Sequence, residues 1–132
     1  MADFEDVIAQ FIEETEQKIN ETLQTIVISI GRTLVTLSPV DTGRFRGNWQ
    51  LSIDEGTNAT LLRQDPSGYA TIADISSKVN SFTLGQIAYL QNHVLYGDDL
   101  EYGSSKQAPD GIVRVTEMRL RRIVDEAVRL NM

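Results

Sequence analysis

The chain has 132 residues, no cysteine and a formal net charge of −7. At 41% hydrophobic residues it can build the core of one ordinary domain, and it lies outside the low-hydrophobicity range of disordered chains. The missing cysteines exclude a disulfide framework and any thiolate chemistry, and the acidic balance argues against gripping nucleic acid, which depends on neutralising phosphates.

Residues 3–37 read as one long helix. Phe4, Val7, Ile8, Phe11, Ile12, Ile19, Leu23, Ile26, Val27, Ile30, Leu34 and Leu37 recur at steps of three and four. Asp3 fits an N-cap, and acids in the first turn suit the helix dipole. The stretch Thr25–Gly31 is β-branched and ends in glycine, so its intrinsic propensity is weak, yet the periodicity runs straight through it. A helix of this length spans about 50 Å at 1.5 Å per residue. The roughly 95 remaining residues make a body of about 13 Å radius of gyration, too small to cover the whole apolar stripe. Either the helix breaks or its N-terminal half packs on another chain.

The helix must stop at Ser38, because Pro39 lacks an N–H and pushes its predecessor out of the α region. Asp41, Thr42 and Gly43 have turn chemistry. From there the pattern alternates, with Phe45, Trp49, Leu51 and Ile53 on one face. Arg44, Arg46, Asn48, Gln50 and Ser52 fall on the other, so a half-buried strand with a polar outer face is expected. A turn at 55–58 leads to a short strand candidate at 59–64, and Asp65-Pro66-Ser67-Gly68 forms another turn. Ile72, Ile75, Val79 and Phe82 predict a short helix over about 71–81, and Gln86–Asn92 a second strand. Residues 94–101 read as loop or short helix, and 103–109 as a polar loop. Asp110 is the expected N-cap of a last helix over 110–130. Together these elements predict a single α+β domain over residues 1–132. It has a long N-terminal helix (1–37), a small, mainly antiparallel sheet with a short middle helix (44–102), and a C-terminal helix (110–130).

Two blocks carry a family resemblance. Ser38-Pro39-Val40-Asp41-Thr42-Gly43-Arg44-Phe45-Arg46-Gly47-Asn48-Trp49 resembles the S-P-V-D-T-G-x-h-x-x-x-W signature of head–tail joining proteins of long-tailed bacteriophages. These are the neck or tail-completion proteins, similar to minor tail protein Z. Leu100-Glu101-Tyr102-Gly103-Ser104-Ser105-Lys106-Gln107-Ala108-Pro109-Asp110-Gly111-Ile112-Val113 resembles the same family's L-E-x-G-x-S-x-Q-A-P-x-G-M-V block, with Asn92 and Tyr96 matching the residues that precede it. The resemblance singles out Pro39, Asp41, Thr42, Gly43, Arg44, Arg46, Trp49, Glu101, Gly103, Ser105, Gln107, Pro109 and Gly111 as structural or interaction positions. It implies a non-enzymatic virion protein with the same α+β architecture, assembled in the host cytoplasm. Copies would form a homo-oligomeric ring in the neck, a hexamer with a dodecamer as the alternative, between the portal-bearing connector and the tail terminator or tube proteins. DNA would pass through the lumen without sequence-specific contact, and no membrane and no cofactor are implied.

Other readings of the residues are weaker. Asp98, Asp99 and Glu101 near His93 are the one cluster that could hold a metal or support hydrolysis, but two carboxylates on a loop do not specify hard-cation geometry. Tyr96, Leu100 and Tyr102 are expected to pack, and Glu101 to form an ion pair with Arg44 or Arg46. Residues 1–21 carry seven acids against Lys18, while the last helix carries Arg114, Arg119, Arg121, Arg122 and Arg129. These runs read either as solvated faces or as complementary ends of successive copies. The alternative function is a helical oligomeric interaction module unrelated to virions.

Overall fold

The computed structural model describes residues 3–132 and, among these, leaves the Asp98 side chain undescribed. The chain runs α1 (Phe4–Leu37), a single 3₁₀ turn (Arg46–Asn48), β1 (Gln50–Ile53), α2 (Tyr69–Val79), β2 (Ala88–Gln91), α3 (Gly97–Glu101), α4 (Val113–Met118) and α5 (Leu120–Asn131). β1 and β2 pair antiparallel, with Leu51 opposite Leu90 and Ile53 opposite Ala88. A two-stranded ribbon is marginal alone. Here it is held by the helices, and the architecture is the expected α+β fold.

α1 is continuous for 34 residues. Asp3 caps it as expected, its side chain accepting from the Asp6 amide at 3.0 Å. The β-branched stretch stays helical because its side chains are what the rest of the fold packs on. Thr22, Val27, Gly31, Leu34 and Val35 are buried, and α1 packs against both α2 and α5. At Gly31, a Cβ would sit 3.1 Å from Ile75 of α2, so the glycine lets the two helices approach closely. The Thr25 hydroxyl accepts from Asn131 at the end of α5, at 3.0 Å. The core joins Val27, Leu34 and Val35 of α1 to Phe45, Trp49 and Leu51, to Ile75, Val79 and Phe82, and to Val94, Ala108 and Ile112.

The helix does not break, and its N-terminal half stands clear of this body. Phe4 is 77% exposed and Phe11 67%, with Val7, Ile8 and Ile12 also exposed.

The expected strand from Arg44 is shorter than its alternation implied. Phe45 and Trp49 are buried, but they lie four residues apart across the 3₁₀ turn. Period two and an α-type turn, such as the one closed by the Gly47 amide on the Gly43 carbonyl, both put residues i and i+4 on one side, so the sequence pattern does not separate them. The residues expected on an outer polar face are also inside: Asn48 and Gln50 are buried. Residues 59–64 form no strand; they run as a loop held by those two side chains. The last helix is two helices, separated at Arg119 (φ −93°, ψ −4°). Asp110 does not cap it, and Tyr102, expected to pack, is exposed.

Candidate functional site

The site begins where α1 ends. Ser38 is buried, its hydroxyl donating to the Leu34 carbonyl (2.6 Å) and accepting from the Trp49 indole (2.7 Å). Pro39 follows, also buried. α1 has no base in its own last turn. Arg46 supplies one from outside, its guanidinium donating to the carbonyls of Ser38 (2.8 Å), Thr36 (3.2 Å) and Pro66 (2.8 Å). A cation at a helix C-terminus meets both the unsatisfied carbonyls and the negative end of the dipole. Arg46 is thus a clamp tying the end of α1 to the 65–68 turn.

Between these anchors lies a tight turn. The Thr42 hydroxyl accepts from the Arg44 amide at 3.2 Å, whereas Asp41 stays exposed without such a bond. Gly43 takes φ +86°, and a Cβ there would lie 2.7 Å from the Asp65 carbonyl carbon. Its carbonyl accepts from the amides of Gly47 (2.9 Å) and Asp65 (3.0 Å). Only glycine allows both this backbone conformation and this approach. Asn48, 0% exposed, fastens the turn to the neighbouring loop. It donates to the carbonyls of Arg44 (2.6 Å) and Leu61 (3.1 Å) and accepts from the Leu61 amide (2.7 Å). Phe45 meets Trp49 edge-on at 5.9 Å between ring centroids and lies 6.2 Å from the Tyr96 ring. Its carbonyl accepts from the Asn92 amide group at 2.8 Å.

Asp65 holds the far side of the turn. It accepts from the Thr71 amide (2.8 Å) and hydroxyl (2.7 Å) at the start of α2. Burial pushes its carboxyl up, but the bonds from Thr71 and Ser67 and the field of Arg63 outweigh that and hold it below its ordinary value.

The second block forms a different device. The Glu101 carboxylate accepts from three successive amides at the start of α4: Ile112 (2.7 Å), Val113 (2.8 Å) and Arg114 (2.9 Å). Arg114 pairs with it at 3.4 Å, donates also to the Glu101 carbonyl, and stacks over the Tyr102 ring at 5.4 Å. Burial raises the Glu101 carboxyl, and the three amides with Arg114 outweigh it, so its pKa lies below the ordinary value. Gly111 makes room: at φ +90°, a Cβ there would lie 2.6 Å from the Glu101 carbonyl oxygen. Gly103 plays the same part against Pro109, where a Cβ would meet the Pro109 carbonyl oxygen at 2.6 Å. The expected ion pair from Glu101 to Arg44 or Arg46 is therefore wrong. Glu101 is the cap of α4, a helix start that lacks a side-chain cap of its own, and Arg46 is committed to carbonyls.

The two blocks meet through Gln107. Its carboxamide accepts from the Val40 amide and donates to the Val40 carbonyl, both at 3.0 Å, so it reads one residue's backbone as a neighbouring strand would. Between them opens a cleft of about 610 Å3 lined by Pro39, Asp41, Thr42, Gly43, Arg44, Phe45, Tyr96, Leu100, Ser105 and Gln107, with Val40 and Gln64 completing it. Seven of the thirteen singled-out residues line the cleft: Pro39, Asp41, Thr42, Gly43, Arg44, Ser105 and Gln107. Arg46 and Trp49 stand behind it, while Glu101, Gly103, Pro109 and Gly111 shape the second wall.

The cleft carries the Arg44 guanidinium and the Asp41 carboxylate from one turn and the Tyr96 phenol from another segment, with no arrangement of nucleophile and base. Among the described residues no group of three His, Asp or Glu side chains could hold a metal ion, and no helix is long and apolar enough to cross a membrane. The Asp98 member of the acidic cluster lies outside the described side chains, and Glu101 is spent on the α4 cap.

Sequence reasoning gave Asn48, Asp65 and Arg114 no bonding role, and it named Asn92 as a match to the second block without its partner. Asp65 had a visible signal, since an Asp two residues before Ser and six before Thr sits where an acidic side chain accepts from a helix start. Asn48 and Asn92 reach the backbone of Leu61 and Phe45, 13 and 47 residues away, and no local pattern announces those partners.

Comparison of the chain with protein-family models, with curated proteins and with solved structures gives no match.

Proposed function

We propose that this chain is a structural, non-enzymatic component of a tailed-phage virion, forming a ring at the junction of head and tail through which the genome passes. The observation that carries the reading is the convergence of the two signature-like blocks. Some 67 residues apart in sequence, Val40 and Gln107 are joined by a two-point bond that makes one cleft of them. A scattered coincidence of short motifs gives no reason for such a meeting. The uncovered stripe on α1 adds a reason to expect neighbours, because a fold that leaves Phe4 and Phe11 in water alone is incomplete.

In this reading the α1 end, the 39–48 turn and the 100–113 segment form a rigid block, cross-braced by Arg46, Asn48, Gln107 and Glu101. The block presents the cleft to the ring above or below. Copies close sixfold, with twelvefold as the alternative, and an acidic net charge keeps the DNA backbone from sticking in the lumen. Deleting the gene from the phage genome that carries it should leave DNA-filled heads and complete tails that do not join. Joined, infectious particles in the deletion would overturn the proposal.

The same stripe favours one rival, a helical interaction module that pairs through α1 alone. Particle mass separates the two: a small dimer or trimer held by α1 fits the rival, and a closed ring fits the neck.

A further inference from the structure

We propose that the free N-terminal half of α1 seats in an apolar groove of a second copy, between that copy's α1 and its C-terminal helices. Copies then join head to tail. The inference rests on the ring reading and names the two surfaces that close the ring.

The groove is about 320 Å3, floored by Val27, Ile30 and Leu34 of α1 and lined further by Leu90, Val113 and Leu120. Val113 and Leu120 line it and remain partly exposed. The chain cannot fill this groove itself. Stripe and floor belong to one unbroken helix, and the 15 residues from Ile12 to Val27 separate them by about 22 Å at 1.5 Å per residue. The occupant must come from another molecule.

Charge says which. Residues 3–16 carry Asp3, Glu5, Asp6, Glu13, Glu14 and Glu16 with no base among them. The segment beside the groove carries Arg114, Arg119, Arg121, Arg122 and Arg129 against Glu117, Asp125 and Glu126. Arg121, Arg122 and Arg129 share one outer hollow with Met118, Asp125 and Glu126. The groove wall itself carries Glu117, but the segment as a whole has more bases than acids, which suits an acidic helix bearing an apolar stripe, and each copy brings one. This is helix-in-groove recognition, with anchors at Phe4, Ile8, Phe11 and their neighbours. Donor and acceptor surfaces differ, so the contact is heterologous and repeats until a ring closes.

The chain has no cysteine, so single thiols report proximity cleanly. Gln10→Cys, on the free half of α1, and Glu117→Cys, on the groove wall, are mixed at equal concentration and treated with a short bis-maleimide. The mixture should give a crossed dimer, while neither variant alone gives one; the doubly substituted chain should give a ladder that stops at ring size. A Gln10→Cys variant that cross-links to itself, or a mixture that gives no crossed product, overturns the proposal. As a second reading, Glu13→Arg/Glu14→Arg and Arg121→Glu/Arg122→Glu should each weaken self-association roughly tenfold at low salt, and mixing them should restore it. Restoration that fails in the mixture counts against the pairing. A crossed product from a chain that is absent from virions would leave this contact standing and remove the neck reading instead.

Discussion

Glu101→Gln tests the α4 cap. The substitution keeps the side-chain volume and removes the charge. The native carboxylate accepts from three amides and from Arg114, two donors on each oxygen. A carboxamide has a single acceptor oxygen, so the NH2 group faces donors and at least one amide of α4 loses its partner. The side chain is only 20% exposed, so water replaces little of what is lost. Hydrogen bonds to a charged group are worth about 1.5–3 kcal/mol, and helix caps about 0.5–2 kcal/mol, which puts the cost near 2 kcal/mol. For 132 residues, at about 2.1 cal/mol/K of unfolding entropy each, that lowers Tm by roughly 7 °C. The effect must also depend on pH. The Glu101 carboxyl ionises lower in the folded chain than in the unfolded one, where it ionises near 4.3. Its stabilisation is therefore whole above that unfolded value and is lost as pH falls through the folded one. Thermal unfolding followed by circular dichroism at neutral pH and down the acid limb should show the 7 °C gap at pH 7 narrowing in acid. A Tm change under about 2 °C at neutral pH, or a gap that stays constant down the acid limb, would refute the cap as its cause.

Asn48→Leu leaves the carbonyls of Arg44 and Leu61 and the Leu61 amide without their buried partner. Denaturant unfolding should show a loss of about 3 kcal/mol, and a loss under 1 kcal/mol would contradict the role given to it. Gly43→Ala must adopt φ +86° and clash with the Asp65–Pro66 peptide; a loss above about 2 kcal/mol is expected by the same assay. Arg46→Lys replaces a fork that reaches three carbonyls with a single point charge. Hydrogen exchange should then speed up in the last turn of α1 and in the 65–68 turn, with a stability loss of about 1 kcal/mol. Unchanged exchange there would remove the clamp.

Much of the scaffold was legible because it is written in local periodicity. The α1 span, its Asp3 cap, the short helix at 69–79 and the strand at 88–91 follow from steps of three, four or two and from a proline. The incomplete burial of the α1 stripe followed from length alone. The candidate site was half legible. Its residues were named, but their partners were not, since charge and spacing show what could pair and not what lies near. Glu101 looked like a partner for Arg44 or Arg46. Its true partners are amides made reachable by Gly111, a consequence of φ +90° that no side-chain pattern reveals. Asn48 and Gln50 looked solvent-facing because they alternate with Phe45, Trp49 and Leu51. They are inside because the 59–61 loop offers them backbone groups to satisfy, and that loop has no periodicity to announce it.

The central claim is that this chain belongs to the junction between head and tail. Gold labelling of an epitope-tagged chain on intact virions, viewed by electron microscopy, tests it most directly. The account predicts label confined to the neck of every joined particle. Label at the tail tip or along the tail, or virions that carry none of the chain, would contradict it.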